Sequence, residues 1–261
     1  VNELDELALA FAALASAAGV VILDVYATDF EVRRKADFSP VSEADEAAEA
    51  LLVPGVQKLL PGVPILAEEA VSREGLVAVG SEFVLIDPLD GTKEFVSRNG
   101  EFTVNVALVR DGVPIAGCVY APALGRMYVG GTTAFSGPLE PGVTDAYLPP
   151  LTTRPYPDAL IAVASRSHRD AQTDAFLTNL GVAETRSAGS SLKFCLVAEG
   201  SADVYPRFAP TMEWDTAAGD AVLRAAGGTV TNPDGSVFRY GKAETGFRNG
   251  SFVAWGGAPL R

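Results

Sequence analysis

The chain has 261 residues, and its 33 acidic side chains against 20 basic ones give a formal net charge of −13. That balance argues against a duplex nucleic-acid binder, whose phosphate affinity comes from clustered Lys and Arg. With 48% apolar and 20% charged residues a largely disordered chain is excluded, and the length suits one large domain or two fused lobes without a disulfide framework.

Leu4, Leu7, Ala8, Phe11, Leu14, Ala15, Ala18, Ile22 and Val25 recur at three- and four-residue steps and predict an amphipathic helix. Its apolar run 12–23 is broken by Ser16 and Gly19, follows Glu3, Asp5 and Glu6, and lacks a basic leader or cleavage site. Neither a signal peptide nor a membrane span is expected. A second helix is expected from Ser42 as its cap, with Asp45 in the first turn, until Pro54 and Gly55 interrupt it. Two short apolar runs, 65–67 and 83–86, end directly on Glu68 and Glu69 and on Asp87, so strand ends present carboxylates. Runs 103–109 and 114–120 flank Asp111 and Gly112 as an antiparallel hairpin, with 125–129 as a third strand.

The proline- and glycine-rich stretch 137–157 holds a lobe boundary, giving an N-terminal lobe over 1–150 and a C-terminal lobe over 151–261. After it, runs 160–164, 170–180, 192–198, 215–226, 228–231 and 252–255 alternate strand and helix patterns around Val204. The expected class is α+β to α/β, an antiparallel, strand-rich first lobe followed by an α/β one.

The most informative string is Ile86-Asp87-Pro88-Leu89-Asp90-Gly91-Thr92. Pro88 fixes its own φ and forces Asp87 to be extended, so Asp87 and Asp90 leave the strand on a tight turn that Gly91 relieves. A helical turn over 92–95 would make the Gly91 and Thr92 amides an anion site. Alone, the string reads equally as an ordinary turn, and Asp215 alone reads as the N-cap of a helix opened by Trp214-Asp215-Thr216-Ala217-Ala218-Gly219. Together, Glu68, Glu69, Asp87, Asp90 and Asp215 offer hard oxygen ligands suited to Mg²⁺, Mn²⁺ or Ca²⁺. His168 is the sole histidine, which excludes a histidine-rich centre. Cys118 and Cys195 have no metal-ligand spacing and read as core residues of a protein in a reducing compartment, the cytoplasm. Segment 235–242 has the wrong glycine spacing for a phosphate loop, and Ala243 stands where Ser or Thr is needed, so it reads as a turn followed by a strand.

These residues carry a resemblance. Glu68-Glu69, the string from Asp87 to Thr92, and Trp214-Asp215 with Ala217-Ala218-Gly219 and Ala226-Gly227-Gly228 resemble the signatures of the inositol monophosphatase superfamily of Mg²⁺-dependent, lithium-sensitive phosphatases. The likeness covers nearly the whole chain. Gly91-Thr92-Lys93-Glu94-Phe95, segment 98–105, Ser165-Arg166-Ser167-His168, segment 189–195 and segment 202–207 are similar to its bacterial 3′(2′),5′-bisphosphate nucleotidase branch, which serves sulfur assimilation.

The resemblance implies a layered αβαβα sandwich of the sugar-phosphatase type and two or three Mg²⁺ ions per site. It implies that Glu68, Asp87 and the Leu89 carbonyl bind one ion while Asp87, Asp90 and Asp215 hold a second. Asp45 and Thr92 would orient and deprotonate the attacking water, with Glu69 supporting Glu68. Gly91, Thr92 and Asp215 would adjoin the substrate. His168, Ser190, Lys193 and Arg207 match nucleotide contacts, the last two being suited to a 5′-phosphate. The implied reaction is attack of metal-activated water on the 3′-phosphate of 3′-phosphoadenosine 5′-phosphate, giving AMP and phosphate. An inositol or sugar-phosphate monophosphatase and a non-catalytic phospho-ligand sensor stay open as alternatives. So do monomer and homodimer, and a peripheral place at the inner membrane, which the net charge opposes on anionic lipid.

Overall fold

The computed structural model describes residues 2–28, 32–34, 40–165 and 170–260. The chain opens with α1 (Glu3–Tyr26), capped by Asn2, whose side chain accepts the Leu4 amide. Its stripe of Ala8, Phe11, Ala15, Ala18 and Ile22 is buried. By length and composition alone α1 could cross a membrane, but here that stripe belongs to the core.

Two short antiparallel strands, β1 (Val32–Arg34) and β2 (Pro40–Ser42), lead into α2 (Glu43–Leu59). The cap expected of the Ser42 side chain falls outside the described residues. Contrary to the expected break at Pro54 and Gly55, α2 runs on to Leu59. Proline removes one helical donor, but Gly55 presents bare backbone to α1, and a Cβ there would lie 2.5 Å from Leu14 Cδ2. Packing of the two helices outweighs the local penalty.

The chain continues through β3 (Ile65–Ala67), α3 (Glu68–Glu74), β4 (Glu82–Asp90), the short α4 (Thr92–Val96), β5 (Thr103–Arg110), β6 (Val113–Ala121), β7 (Arg126–Gly130), β8 (Ala134–Pro138) and β9 (Pro150–Leu151). These strands form one sheet in the order β3-β4-β5-β6-β7-β8-β9. The β5–β6 turn has Asp111 and Gly112 at φ 52° and 74°, the backbone that two-residue hairpins favour. The wholly antiparallel expectation fails at β3–β4, which is parallel. The connection there crosses through α3 instead of a hairpin, so both strands point their carboxyl ends the same way.

Beyond β9, at the expected lobe boundary, come β10 (Ile161–Ser165), α5 (Ala171–Asn179), β11 (Glu184–Ala188), α6 (Leu192–Ala198), β12 (Val204–Arg207), β13 (Thr211–Met212), α7 (Ala217–Ala225), β14 (Thr229–Thr231), β15 (Arg248–Asn249) and β16 (Phe252–Trp255). The second sheet has the order β11-β10-β12-β16-β14, and β13 pairs β15 in a separate antiparallel ribbon. No strand forms over 236–242 after the turn at 232–235. Phe238 and Tyr240 are buried in the core, but the backbone there has only an isolated bridge from Val237 to Thr231, too little pairing to make a strand.

One core joins Phe83, Leu85 and Val119 of the first sheet to Phe194 and Val222 of α6 and α7 and to Val163 and Phe252 of the second. A second core packs α1 and α2 on the other face of the first sheet, and a third seats Leu177 of α5 against Val204 and Trp255. The layers therefore alternate helix, sheet, helix, sheet, helix.

Candidate active site

Three chain segments deliver acids to one place. After the parallel pair Ala67↔Ile86 come Glu68, which opens α3 at the end of β3, and Asp87, which lies inside β4 and not at its end as the sequence suggested. Between Asp87↔Asn105 and Asp90↔Thr103 the ladder with β5 slips by one residue, a bulge around Pro88 and Leu89, where proline can be tolerated in a sheet. Asp215 arrives from the link between β13 and α7. Ligand oxygens of Glu68, Asp87 and Asp215 all lie within 4.8 Å of one another.

The electrostatics follow from this crowding. Burial first, then repulsion from Glu68, Asp90, Asp215 and Asp45, pushes the Asp87 carboxyl well above the usual carboxylate range. Burial, then Asp90 and Glu68, does the same to Asp215. Such a group of acids keeps its anionic form beside a cation, and an oxygen-only donor set suits a hard divalent ion. The residues present fit a metal.

Asp90 is held differently. Its Oδ2 accepts the Ser191 amide at 2.7 Å and lies 3.5 Å from Asn105 Nδ2. Ser191 Oγ donates to Asn105 Oδ1 at 2.7 Å and lies 2.8 Å from Thr103 Oγ1. Ser190, at φ 49°, places its Oγ 2.7 Å from the Asp90 carbonyl and 2.9 Å from that of Glu101. Gly91 has φ 93°, and a Cβ there would sit 2.3 Å from Ser190 Oγ.

Gly91, Thr92, Ser190, Lys193, Arg207 and Asp215 line a cleft of about 290 Å³. The Nζ of buried Lys193 donates to the carbonyl of Ser190 and, at 3.4 Å, to that of Ala188. Burial pulls its pKa down to about 8 and pushes that of Asp90 up to about 6; their mutual attraction offsets this only in part. Arg207 donates to the carbonyls of Ala209 at 3.0 Å and Pro210 at 3.3 Å.

Asp45 is buried in the first turn of α2, and its charge is among those acting on Asp87. Leu89 lies in the bulge, its side chain buried and its amide donating to Asp87 Oδ1 at 3.1 Å. Glu69 is buried in the first turn of α3, and its amide donates to Glu49 Oε2 at 2.9 Å. His168 lies outside the described residues. Asp215 does not serve as an N-cap: α7 begins at Ala217 with Thr216 in the cap position, and Asp215 Oδ2 turns back to accept the Met212 amide at 2.8 Å.

Glu49, Thr103, Asn105 and Ser191 were not among the candidates read from the sequence. Glu49 stands four residues after Asp45, on the same helix face, and Asn105 interrupts an apolar strand with a buried amide. Both signals are present in the sequence, but neither points to a partner.

The profile of the inositol monophosphatase family matches residues 3–254. The 3′(2′),5′-bisphosphate nucleotidase CysQ of Escherichia coli O157:H7 is 46% identical over 244 residues, covering 92% of this chain and 95% of its own. The crystal structure of CysQ from Bacteroides thetaiotaomicron superposes with a TM-score of 0.82 at 39% identity, covering 99% of both chains. Inositol monophosphatase from Anabaena superposes with a TM-score of 0.71 at 23% identity, covering 97% of this chain and 92% of its own, a likeness of fold.

Proposed function

The chain belongs to the inositol monophosphatase family, and from that premise we propose that it is a metal-dependent 3′(2′),5′-bisphosphate nucleotidase. It hydrolyses the 3′-phosphate of 3′-phosphoadenosine 5′-phosphate, giving AMP and phosphate. The observation that carries this reading is the double membership of Asp215, which belongs to the acidic cluster and also to the wall of the cleft that holds Lys193 and Arg207. A cation site and two cationic side chains adjoining one cavity suit a ligand with two phosphates.

The ions would be Mg²⁺, two or three per site; Glu68, Asp87 and the Leu89 carbonyl would hold one, and Asp87, Asp90 and Asp215 a second. Such ions supply positive charge at phosphate oxygens and lower the pKa of a coordinated water toward about 7. The chain's own groups do the rest. Asp45 accepts the proton of the attacking water, and the Thr92 hydroxyl orients that water. Glu69, with its amide fixed on Glu49, holds the first turn of α3 and hence Glu68 in place. The Gly91 and Thr92 amides take the phosphate oxygens as charge shifts among them.

Lys193, held on the Ser190 and Ala188 carbonyls, and Arg207, held on those of Ala209 and Pro210, bring two cationic donors suited to a 5′-phosphate to the cleft. They take the 5′-phosphate, and His168 and Ser190 complete the nucleotide contacts. The lobe over 1–150 supplies most acids, and the lobe over 151–261 supplies Asp215 and both cations, so a working site needs the two together. Free, buried Cys118 and Cys195 suit the cytoplasm.

Phosphate release from this bisphosphate in Mg²⁺ tests the reading. Asp215→Asn lowers kcat by on the order of 10²-fold or more while circular dichroism stays unchanged; wild-type turnover in that variant overturns the assignment.

A further inference from the structure

We propose that Asn249, braced by Lys242 and Glu213, is a positioning residue that keeps the Asp215 carboxylate aimed at the metal site. This rests on the reading of Asp215 as a metal ligand.

Asp215 sits in the link between β13 and α7, and its carboxylate faces Glu68, Asp87 and Asp90, all of its own sign. Repulsion would turn such a link away from the cluster unless something outside it held it there. Asn249 does so from β15. Its Nδ2 lies 3.1 Å from Thr211 Oγ1, 2.9 Å from the Met212 carbonyl and 2.9 Å from Thr216 Oγ1. These acceptors stand on both sides of Asp215. The grip reaches the carboxylate itself, because Met212, held at its carbonyl by Asn249, donates its own amide to Asp215 Oδ2 at 2.8 Å. The backbone register Thr211↔Asn249 and Met212↔Arg248 fixes the same alignment.

Asn249 is in turn held. Its Oδ1 accepts from Lys242 Nζ at 3.1 Å, which leaves Nδ2 to face the link. Lys242 Nζ also donates to Glu213 Oε1 at 3.1 Å and to the Arg239 carbonyl. Fully buried Glu213 accepts the Gly241 and Lys242 amides at 2.8 and 3.0 Å. The network leaves the link at Glu213 and returns to it at Thr211, Met212 and Thr216, closing a ring around Asp215. A buried ion pair is a poor device for stability, since apolar packing does as well or better, but it fixes one geometry among several. Groups that orient metal ligands are worth about 10- to 100-fold in metal affinity.

The test reads Mn²⁺ binding to the metal-free full-length protein, by electron paramagnetic resonance of the free ion, alongside thermal unfolding and kinetics. Folded Asn249→Ala should bind Mn²⁺ roughly tenfold or more weakly and lose kcat, with less than about a twofold change in KM for the bisphosphate at saturating metal. Asn249→Asp keeps the size and the acceptor toward Lys242 but has no N–H to donate, and it decides the matter by the same readout where the alanine variant does not fold. Asp215→Asn is the reference. If it loses affinity while a folded Asn249 variant binds like wild type, the positioning role is overturned alone; if Asp215→Asn itself binds like wild type, that role and the metal-ligand reading fall together.

Discussion

Oδ2 of Asp90 accepts the main-chain amide of Ser191 at 2.7 Å across 101 residues of sequence. That bond ties the end of β4 in the first sheet to the entry of α6 between the sheets. The cleft's acidic wall and its cationic wall, which carries Lys193 two residues further on, are thereby fixed to each other.

Asn105→Ala should show what the tie is worth. It removes the acceptor of Ser191 Oγ and the amide beside Asp90, a buried hydrogen bond worth about 0.5–1.5 kcal/mol net, while Thr103 Oγ1 still faces Ser191 Oγ and the Ser191 amide still faces Asp90. Urea unfolding should register that loss together with a fall in kcat. Ser191→Ala keeps the main-chain donor to Asp90 and so should lose stability but retain most turnover. Unchanged stability in Asn105→Ala would contradict the assignment.

The acidic cluster sets the pH dependence of the metal-free protein. Burial and repulsion raise Asp87 and Asp215, and burial raises Asp90 to about 6, above the ordinary aspartate value. Between the unfolded and folded values the native state binds more protons than the unfolded one, so stability falls as pH rises through that window. In chelator, Tm should decline from about pH 4 to beyond 6. Saturating Mg²⁺ should flatten the slope by stabilising the ionised acids, and identical slopes with and without the ion would count against the metal site.

Gly91 tests the turn that carries the site. Its φ of 93° and the 2.3 Å approach of a built Cβ to Ser190 Oγ leave no room for a side chain. Gly91→Ala should lose about 1–2 kcal/mol from the left-handed backbone alone and lower kcat by displacing Ser190 or the turn. A variant with wild-type Tm and kcat would show that the turn tolerates both.

Lys193 separates the two phosphates. If its charge meets the 5′-phosphate, Lys193→Ala should raise KM for the bisphosphate more than for a monophosphate, and Arg207→Ala should act in the same direction. Equal shifts on both substrates would reduce Lys193 to a neighbour of Asp90 that orders the Ala188 to Ser191 backbone.

Periodicity makes α1 legible in the sequence, and the Asp111-Gly112 dipeptide makes the β5–β6 hairpin legible, because both are set by local physics. The extension of α2 past Pro54 is not, since it depends on Leu14 from another helix. Nor is the parallel direction of β3, because a three-residue strand carries no sign of which way its neighbour runs. The acids of the site stand out as residues that end strands or open helices, yet the meeting of Glu68, Asp87 and Asp215 is a property of the topology. The reading of Asp215 as a cap failed for a related reason: the amide nearest its carboxylate belongs to Met212, behind it in the chain. Asn249 carries no motif at all, and only its three acceptors reveal it.

The most direct test is kcat/KM in Mg²⁺ for 3′-phosphoadenosine 5′-phosphate beside inositol 1-phosphate and fructose 1,6-bisphosphate. One charge-assisted contact of about 1.5–3 kcal/mol to the 5′-phosphate corresponds to roughly a 10- to 150-fold preference for the nucleotide. A preference of that size is the expected result. Comparable rates on all three would make the protein a broad phosphatase, and binding without turnover on any would leave a phospho-ligand sensor; either contradicts the nucleotidase.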